Sequence, residues 1–240
     1  MKKSILVIVQ IIFLTFICGV ITSCGNNGNL FSDLPQRDTK QKAEDAINSG
    51  DYNTSINLLE PYVSANSSDQ QAIGLLSTSY LLAAGINILN MAVSIISSNG
   101  NYKNNLQTVL AIMPAASQSN ISLVTKAVNT ISLVPAGQRN SNQNYMLAIA
   151  NASLAMLTIK ANCLNAAGTI STSLTSAMST TDAANIYSYL SSAQSTFSSA
   201  GISSGSSSGS GILANFINQI NSTTGGSNSA KVINFINSQA

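Results

Sequence analysis

Residues 43–59 read Ala-Glu-Asp-Ala-Ile-Asn-Ser-Gly-Asp-Tyr-Asn-Thr-Ser-Ile-Asn-Leu-Leu, and this stretch decides the fold class of the chain. Apolar residues recur at helical spacing on both sides of the turn Gly50-Asp51-Tyr52. The spacing predicts one helix over 38–48, with Asp38 or Thr39 as its N-cap. It also predicts a second helix over 53–65, which Pro61 kinks. Two helices joined by so short a turn form a helical hairpin.

The pattern of this hairpin returns 34 residues further along the chain. Ile73, Leu76, Ser77 and Tyr80 follow the order large-x-x-Leu-small-x-x-Tyr. Together with the Gly-Asp-Tyr turn, this order and period resemble the tetratricopeptide repeat (TPR), whose unit has about 34 residues. The resemblance covers residues 36 to about 100 and implies TPR-like helical hairpins stacked into an α-solenoid or helical bundle.

The TPR resemblance also implies a partner-binding groove, lined by the first helix of each hairpin. The residues at the groove positions are Lys40, Glu44, Asn48, Gln71, Thr78 and Leu82. The chain departs from the family in three ways. Its first copy has Thr39 and Lys42 where large apolar residues are expected. Its second copy has Ala84-Gly85-Ile86 in place of the Gly-Asp-Tyr turn, and Pro114 interrupts a third copy in phase.

Helical periodicity continues beyond the two repeats, so a helical domain is predicted over 37–200. Its later helices are predicted over 104–113, 119–134, 142–167 and 180–200. The third of these is apolar around most of its circumference, which is typical of a helix at the centre of a bundle. For the last, Thr181 or Asp182 is the expected N-cap. The uncharged stretch 70–102 is interpreted as two buried repeat helices rather than a membrane span.

The C-terminal region is rich in Gly and Ser and repeats a short motif. Residues 201–211 have the composition of a flexible linker. Residues 212–240 are predicted to form two short amphipathic helices, each containing Asn-Phe-Ile-Asn, at 215–218 and 234–237. We expect these helices to dock on the bundle. In the alternative, their apolar faces engage a partner or a bilayer surface.

The N-terminal segment 1–23 resembles the export signal of bacterial lipoproteins. It has Lys2-Lys3, an apolar run over 5–20 and Ile21-Thr22-Ser23 before Cys24. The resemblance implies that Cys24 carries acyl chains such as palmitate and becomes the first residue, followed by a flexible tether over 24–36. Because Gly25 replaces the Asp that retains some lipoproteins at the inner membrane, the outer membrane, facing the periplasm, is favoured. The alternative is an uncleaved anchor, but a span needs roughly 20 apolar residues.

The composition excludes several functions. Charged residues make up 8% of the chain, with 10 Lys and Arg against 8 Asp and Glu, so we expect no nucleic-acid partner. The sequence has no His, which removes the common catalytic triads and the commonest transition-metal ligand. We therefore expect no enzyme activity, no metal and no cofactor. Cys163 lies in an apolar helical context and is expected to be a buried, inert thiol.

Two functions remain for a lipid-anchored helical protein of the bacterial cell envelope. The first is a protein-interaction scaffold or assembly factor, which binds an envelope protein through its TPR-like helices. The alternative is a carrier of an apolar small molecule or of a solute for a transporter. A pocket among Tyr80, Met91, Met146 and Met156 would favour the carrier.

Overall fold

The structure of the protein, a computed structural model, describes residues 38–87, 105–201 and 209–240. Within these ranges the chain is all-α, which confirms the helical part of the predicted fold class. The ten helices of the described residues are α1 (Thr39–Asn48), α2 (Tyr52–Ala65), α3 (Gln70–Ala83), α4 (Asn105–Ile112), α5 (Gln118–Ile131), α6 (Ser141–Cys163), α7 (Thr172–Ala177), α8 (Thr180–Ser199), α9 (Gly209–Ser222) and α10 (Asn228–Asn237).

The first hairpin, α1 and α2, has nearly the bounds that the sequence predicts. Gly50 ends α1 with a φ of +80°, a left-handed conformation that glycine adopts without strain. The backbone N–H of Asp51 then donates to the carbonyl of Ala46 at 2.8 Å. The carboxylate of the same Asp51 accepts from the N–H of Thr54 at 3.1 Å and so caps α2. The helix continues through Pro61 to its end.

Helix α3 lies between α2 and α5, and buried serines mark both contacts. The hydroxyls of Ser55 on α2 and Ser79 on α3 are 2.8 Å apart. The hydroxyl of Ser77 donates to the carbonyl of Ala127 on α5 at 3.0 Å. Small side chains allow the helices to approach closely, and each hydroxyl has a partner. The second helix predicted for the second hairpin falls largely within 88–100, outside the described residues.

Helix α6 is the centre of the second half of the bundle, as predicted. It contacts α3, α4, α5, α7 and α8, and the ring of its Tyr145 meets Phe197 of α8 edge to face, with centroids 5.7 Å apart. Among the described residues it is the one helix long and apolar enough to cross a membrane. Two thirds of its most apolar window is buried in the protein, so packing accounts for this composition.

The helix boundaries of the second half differ from prediction in three places. Helix α6 ends at Cys163 instead of near 167, because the chain turns back and Leu164 pairs with Ile170. Helix α7 was not predicted. The predicted N-cap of α8 was wrong: Ser179 is the cap, and its hydroxyl accepts from the N–H of Asp182 at 3.0 Å.

The C-terminal helices α9 and α10 pack against α8, so the predicted docking is confirmed. Helix α9 begins at Gly209, within the range 201–211 that was predicted as linker, and 202–208 lies outside the described residues. The alternative of apolar faces free for a partner or a bilayer was wrong. The buried side chains of these two helices are Leu213, Ile217, Ile220, Val232, Phe235 and Ile236.

Candidate partner-binding surface

The six residues expected to line a groove lie on two helices that contact each other, three on α1 and three on α3. We call this set the α1–α3 face; it comprises Lys40, Glu44, Asn48, Gln71, Thr78 and Leu82. Asn48 and Gln71 are exposed, and the other four side chains are partly exposed.

One hydrogen bond joins the two helices across this face. The side-chain amide of Gln71 donates to the carboxylate of Glu44 at 3.3 Å, and the pair is exposed to solvent. This amide is neutral and therefore leaves the negative charge of Glu44 uncompensated. The face thus offers a carboxylate and two exposed amides, those of Asn48 and Gln71, to a partner.

Lys40 is engaged at the edge of the same face. Its ammonium lies 3.0 Å from the carboxylate of Asp69, which also accepts from the N–H of Ala72 and from the hydroxyl of Tyr62, each at 3.1 Å. The hydrogen bond from Ala72, and then those from Lys40 and Tyr62, hold the pKa of Asp69 below its ordinary value despite partial burial. Asp69 thus caps α3 and holds the ammonium of Lys40. The role of Lys40 is therefore to stabilise the packing of α1 on α3.

At the other end of the face, α6 lies against α3. The hydroxyl of Thr78 is 3.1 Å from the sulfur of Met146, and the end of the Met146 side chain lies over Gly74. Contact with α6 therefore limits access to Thr78. Asn48 and Gln71 are the exposed residues of the face, and Glu44 lies beside them through its hydrogen bond to Gln71.

A second charged cluster, which the sequence did not predict, joins α2, α3 and α5. The hydroxyl of Tyr80 donates to the carboxylate of Glu60, and the ammonium of Lys126 lies 3.0 Å from the same carboxylate. The ammonium also lies 5.3 Å from the centroid of the Tyr80 ring, a cation–π distance. These residues are far apart in sequence, and nothing in the sequence pattern relates them.

The electrostatics of this cluster follow from its hydrogen bonds. Donation by Tyr80, and then by Lys126, lowers the pKa of Glu60. Burial, and then the neighbouring carboxylate, raise the pKa of Tyr80. The cluster therefore keeps a charged carboxylate beside a neutral phenol, a stabilising arrangement at neutral pH.

Three further basic side chains donate to backbone carbonyls near the ends of helices. Lys160 donates to the carbonyl of Leu110 in the last turn of α4 at 2.9 Å. It also donates to the carbonyl of Met113, just beyond that helix, at 2.6 Å. Lys231 donates to Asn221 in α9 at 3.0 Å, and Arg139 donates to Val134 beyond α5 at 2.8 Å. Such carbonyls have no partner within their own helix. These cations therefore stabilise the fold by satisfying backbone carbonyls.

The side chains expected to line a carrier pocket are packed. Tyr80 and Met156 are buried in the core, Met146 contacts α3, and Met91 lies outside the described residues. Cys163 is fully buried, and burial raises the pKa of its thiol. Within the described ranges, no three His, Cys, Asp or Glu side chains come together in a way that could hold a metal ion.

Comparison of the chain with protein-family models, with curated proteins and with solved structures finds no match. The predicted lipid-attachment residue Cys24 lies outside the described residues.

Proposed function

We propose that this chain is a lipid-anchored interaction scaffold of the bacterial envelope, which binds a protein partner through the α1–α3 face. The observation that carries the proposal is the exposed hydrogen bond between Glu44 and Gln71. It joins the first helices of the two predicted hairpins into one polar surface, which has Asn48 beside it on α1.

Burial at equivalent positions supports a TPR-like arrangement of these helices. Ala43 and Ser77 are 34 residues apart, and both are fully buried. Ala46 and Tyr80, which share the same spacing, are 8% and 4% exposed. The same small or aromatic positions thus face the core in both copies, as expected for repeats that stack.

The polar character of the face favours a scaffold over a carrier. A carrier of an apolar ligand needs an apolar cavity. Tyr80 and Met156, expected to line that cavity, are instead core side chains. The α1–α3 face presents hydrogen-bonding groups and the charge of Glu44, which suit a peptide segment with a basic side chain.

Attachment to the membrane is proposed through Cys24, with acylation of its thiol and removal of residues 1–23. A tether over 24–36 would hold the helical domain off the bilayer, in the periplasm and at the outer membrane. The partner is then an envelope protein within reach of that tether.

Site-specific photocrosslinking from the α1–α3 face tests the proposal. A benzophenone amino acid is placed at Asn48 or Gln71, and at the exposed Asn185 of α8 as the matched control. We expect one stoichiometric adduct from the first two positions, no adduct from the third, and loss of the adduct when Cys24→Ala prevents acylation. Equal adducts from all three positions, or none from Asn48 and Gln71, would contradict it.

A charge reversal tests the role of Glu44. Glu44→Lys should abolish recovery of the partner, whereas Asp45→Lys changes an exposed carboxylate on the adjacent side of α1 and should leave recovery unchanged. Equal loss in both variants would indicate a general effect of charge and not a contact at this face.

A further inference from the structure

The α9–α10 hairpin carries a shallow, open depression that has no role in the proposed function. Its volume is about 650 Å³, and it is lined by seven uncharged polar residues and by Phe235. Asn215, Asn218, Gln219 and Ser222 follow one another at helical spacing and form one side of it. At 1.5 Å per residue, this polar stripe is about 10 Å long.

Three amides of the stripe have no hydrogen-bond partner among the described residues: those of Asn215, Asn218 and Gln219. Three neighbouring amides outside the depression are engaged. Asn221 accepts from the hydroxyl of Tyr187, Asn234 donates to Thr224, and Asn237 donates to Ser176. Of the four amides that line the depression, that of Gln239 donates to the hydroxyl of Ser238 at 3.1 Å, and those of Asn215, Asn218 and Gln219 keep unused donors and acceptors.

The hydroxyls of the depression are directed toward their own helices. Ser222 donates to the carbonyl of Asn218, Thr223 to that of Gln219, and Ser238 to that of Phe235, at 2.6–2.8 Å. The oxygens of Ser222 and Thr223 keep both lone pairs for a ligand, and that of Ser238, which accepts from the amide of Gln239, keeps one. The depression thus offers amide donors and acceptors together with hydroxyl acceptors.

The lining carries no charged side chain. The cation of the hairpin, Lys231, donates to the carbonyl of Asn221. A phosphate, a carboxylate or a metal ion would therefore find no compensating charge in the lining.

A neutral ligand with many hydroxyls fits this lining best. A hydroxyl both donates and accepts, as an amide does, so Asn and Gln pair with it in either direction. Phe235 is the apolar residue of the lining, so polar groups dominate the surface that a ligand would meet. A peptide would require apolar pockets for its side chains or a strand edge for its backbone, and this lining provides one apolar side chain that is itself 4% exposed.

We propose that the α9–α10 depression binds a neutral saccharide through the amides of Asn215, Asn218 and Gln219. This site lies on a different hairpin from the α1–α3 face. It is therefore independent of the proposed protein partner.

Calorimetric titration of the full-length protein in detergent tests this site. The probes are two neutral oligosaccharides, the hexamers of N-acetylglucosamine and of α-1,4-linked glucose. We expect saturable binding of at least one, with a Kd on the order of 1 mM, since the site is shallow and open. The double variant Asn218→Asp, Gln219→Glu keeps the side-chain shapes but removes the amide donors, and should weaken binding about tenfold or more.

The matched control is Asn185→Asp, an exposed amide on α8, which should bind as the unmodified protein does. Circular dichroism checks that the variants keep the helical fold. If neither hexamer binds at a concentration about ten times the expected Kd, the proposal is overturned. Equal binding by the double variant, or equally tight binding of a hyaluronan hexamer or a Gly-Ser peptide, would also overturn it.

Discussion

The ammonium of Lys160 lies 2.6 Å from the carbonyl oxygen of Met113, which joins the long central helix α6 to the end of α4. The same ammonium donates to the carbonyl of Leu110 at 2.9 Å. Carbonyls at the end of a helix carry partial negative charge and lack partners within the helix. In a chain with few charges, this lysine satisfies two such carbonyls.

Lys160→Met should therefore destabilise the protein. It keeps much of the aliphatic side chain but leaves two partly buried carbonyls without their donor, at a cost of about 1–3 kcal/mol. Urea denaturation followed by circular dichroism measures the free energy of unfolding. Lys160→Arg retains donors and should lose much less, so an equal loss in the two variants would argue against the capping role.

Tyr80→Phe removes the phenol that donates to Glu60 while keeping the buried ring. Because the carboxylate is partly exposed, we expect a loss of about 1 kcal/mol in the free energy of unfolding. A double-mutant cycle with Glu60→Gln isolates the interaction. Additive effects in that cycle would show that the contact contributes nothing.

Stability should decline at both ends of the pH range. The lowered pKa values of Glu60 and Asp69 mean that the unfolded chain binds more protons in acid, so their contribution is complete above about pH 5 and is lost as the pH falls. The raised pKa of Tyr80 means that the folded state keeps a proton that the unfolded chain releases near pH 10, so stability falls above about that pH. Measuring the free energy of unfolding across this pH range tests both effects. Tyr80→Phe should reduce the loss of stability at alkaline pH, and Glu60→Gln should reduce the loss at acid pH.

The two Asn-Phe-Ile-Asn motifs pack against each other through their phenylalanines. The rings of Phe216 and Phe235 meet edge to face, with centroids 5.0 Å apart. Phe235→Ala should cost about 3–5 kcal/mol, because this ring is buried. Phe216→Ala should cost less, since its ring is partly exposed, and a double-mutant cycle should give a coupling of about 0.5–1.5 kcal/mol. Zero coupling would contradict the pairing.

Ser77 tests how closely α3 and α5 pack. Ser77→Ala removes its hydrogen bond to Ala127 and should cost about 1 kcal/mol. Ser77→Leu adds volume to a fully buried position and should cost about 1–3 kcal/mol more. Thermal unfolding of the two variants distinguishes these effects. A leucine tolerated as well as alanine would mean that the helices have room to separate.

Local signals predicted the first half of the fold well. The cap at Asp51 and the left-handed Gly50 act within a few residues, so α1 and α2 begin and end close to their predicted positions. Local signals failed where several candidates compete. Four adjacent hydroxyl or acidic residues, 179–182, could each cap the start of α8, and the choice of Ser179 depends on where the chain leaves α7.

The candidate surface was only partly predictable. The repeat period places Glu44 and Gln71 on the first helices of two hairpins, and the structure brings them within hydrogen-bond distance. The period does not show that Lys40 is held by Asp69 or that Thr78 meets Met146, because these contacts depend on how helices pack.

The sequence by itself determined the helical class, the approximate helix bounds and the apolar faces, since periodicity, caps and turn glycines act over a few residues. Tertiary structure alone decided the partners of the few charges and the side chains left for a ligand. Lys126 pairs with Glu60 across 66 positions of the chain, and Lys160 caps a helix about 50 positions away. Such pairs form because packing brings distant residues together. A partly buried ammonium such as that of Lys160 loses water and needs a partner, whereas the exposed pair of Lys126 and Glu60 forms where packing places the two charges side by side.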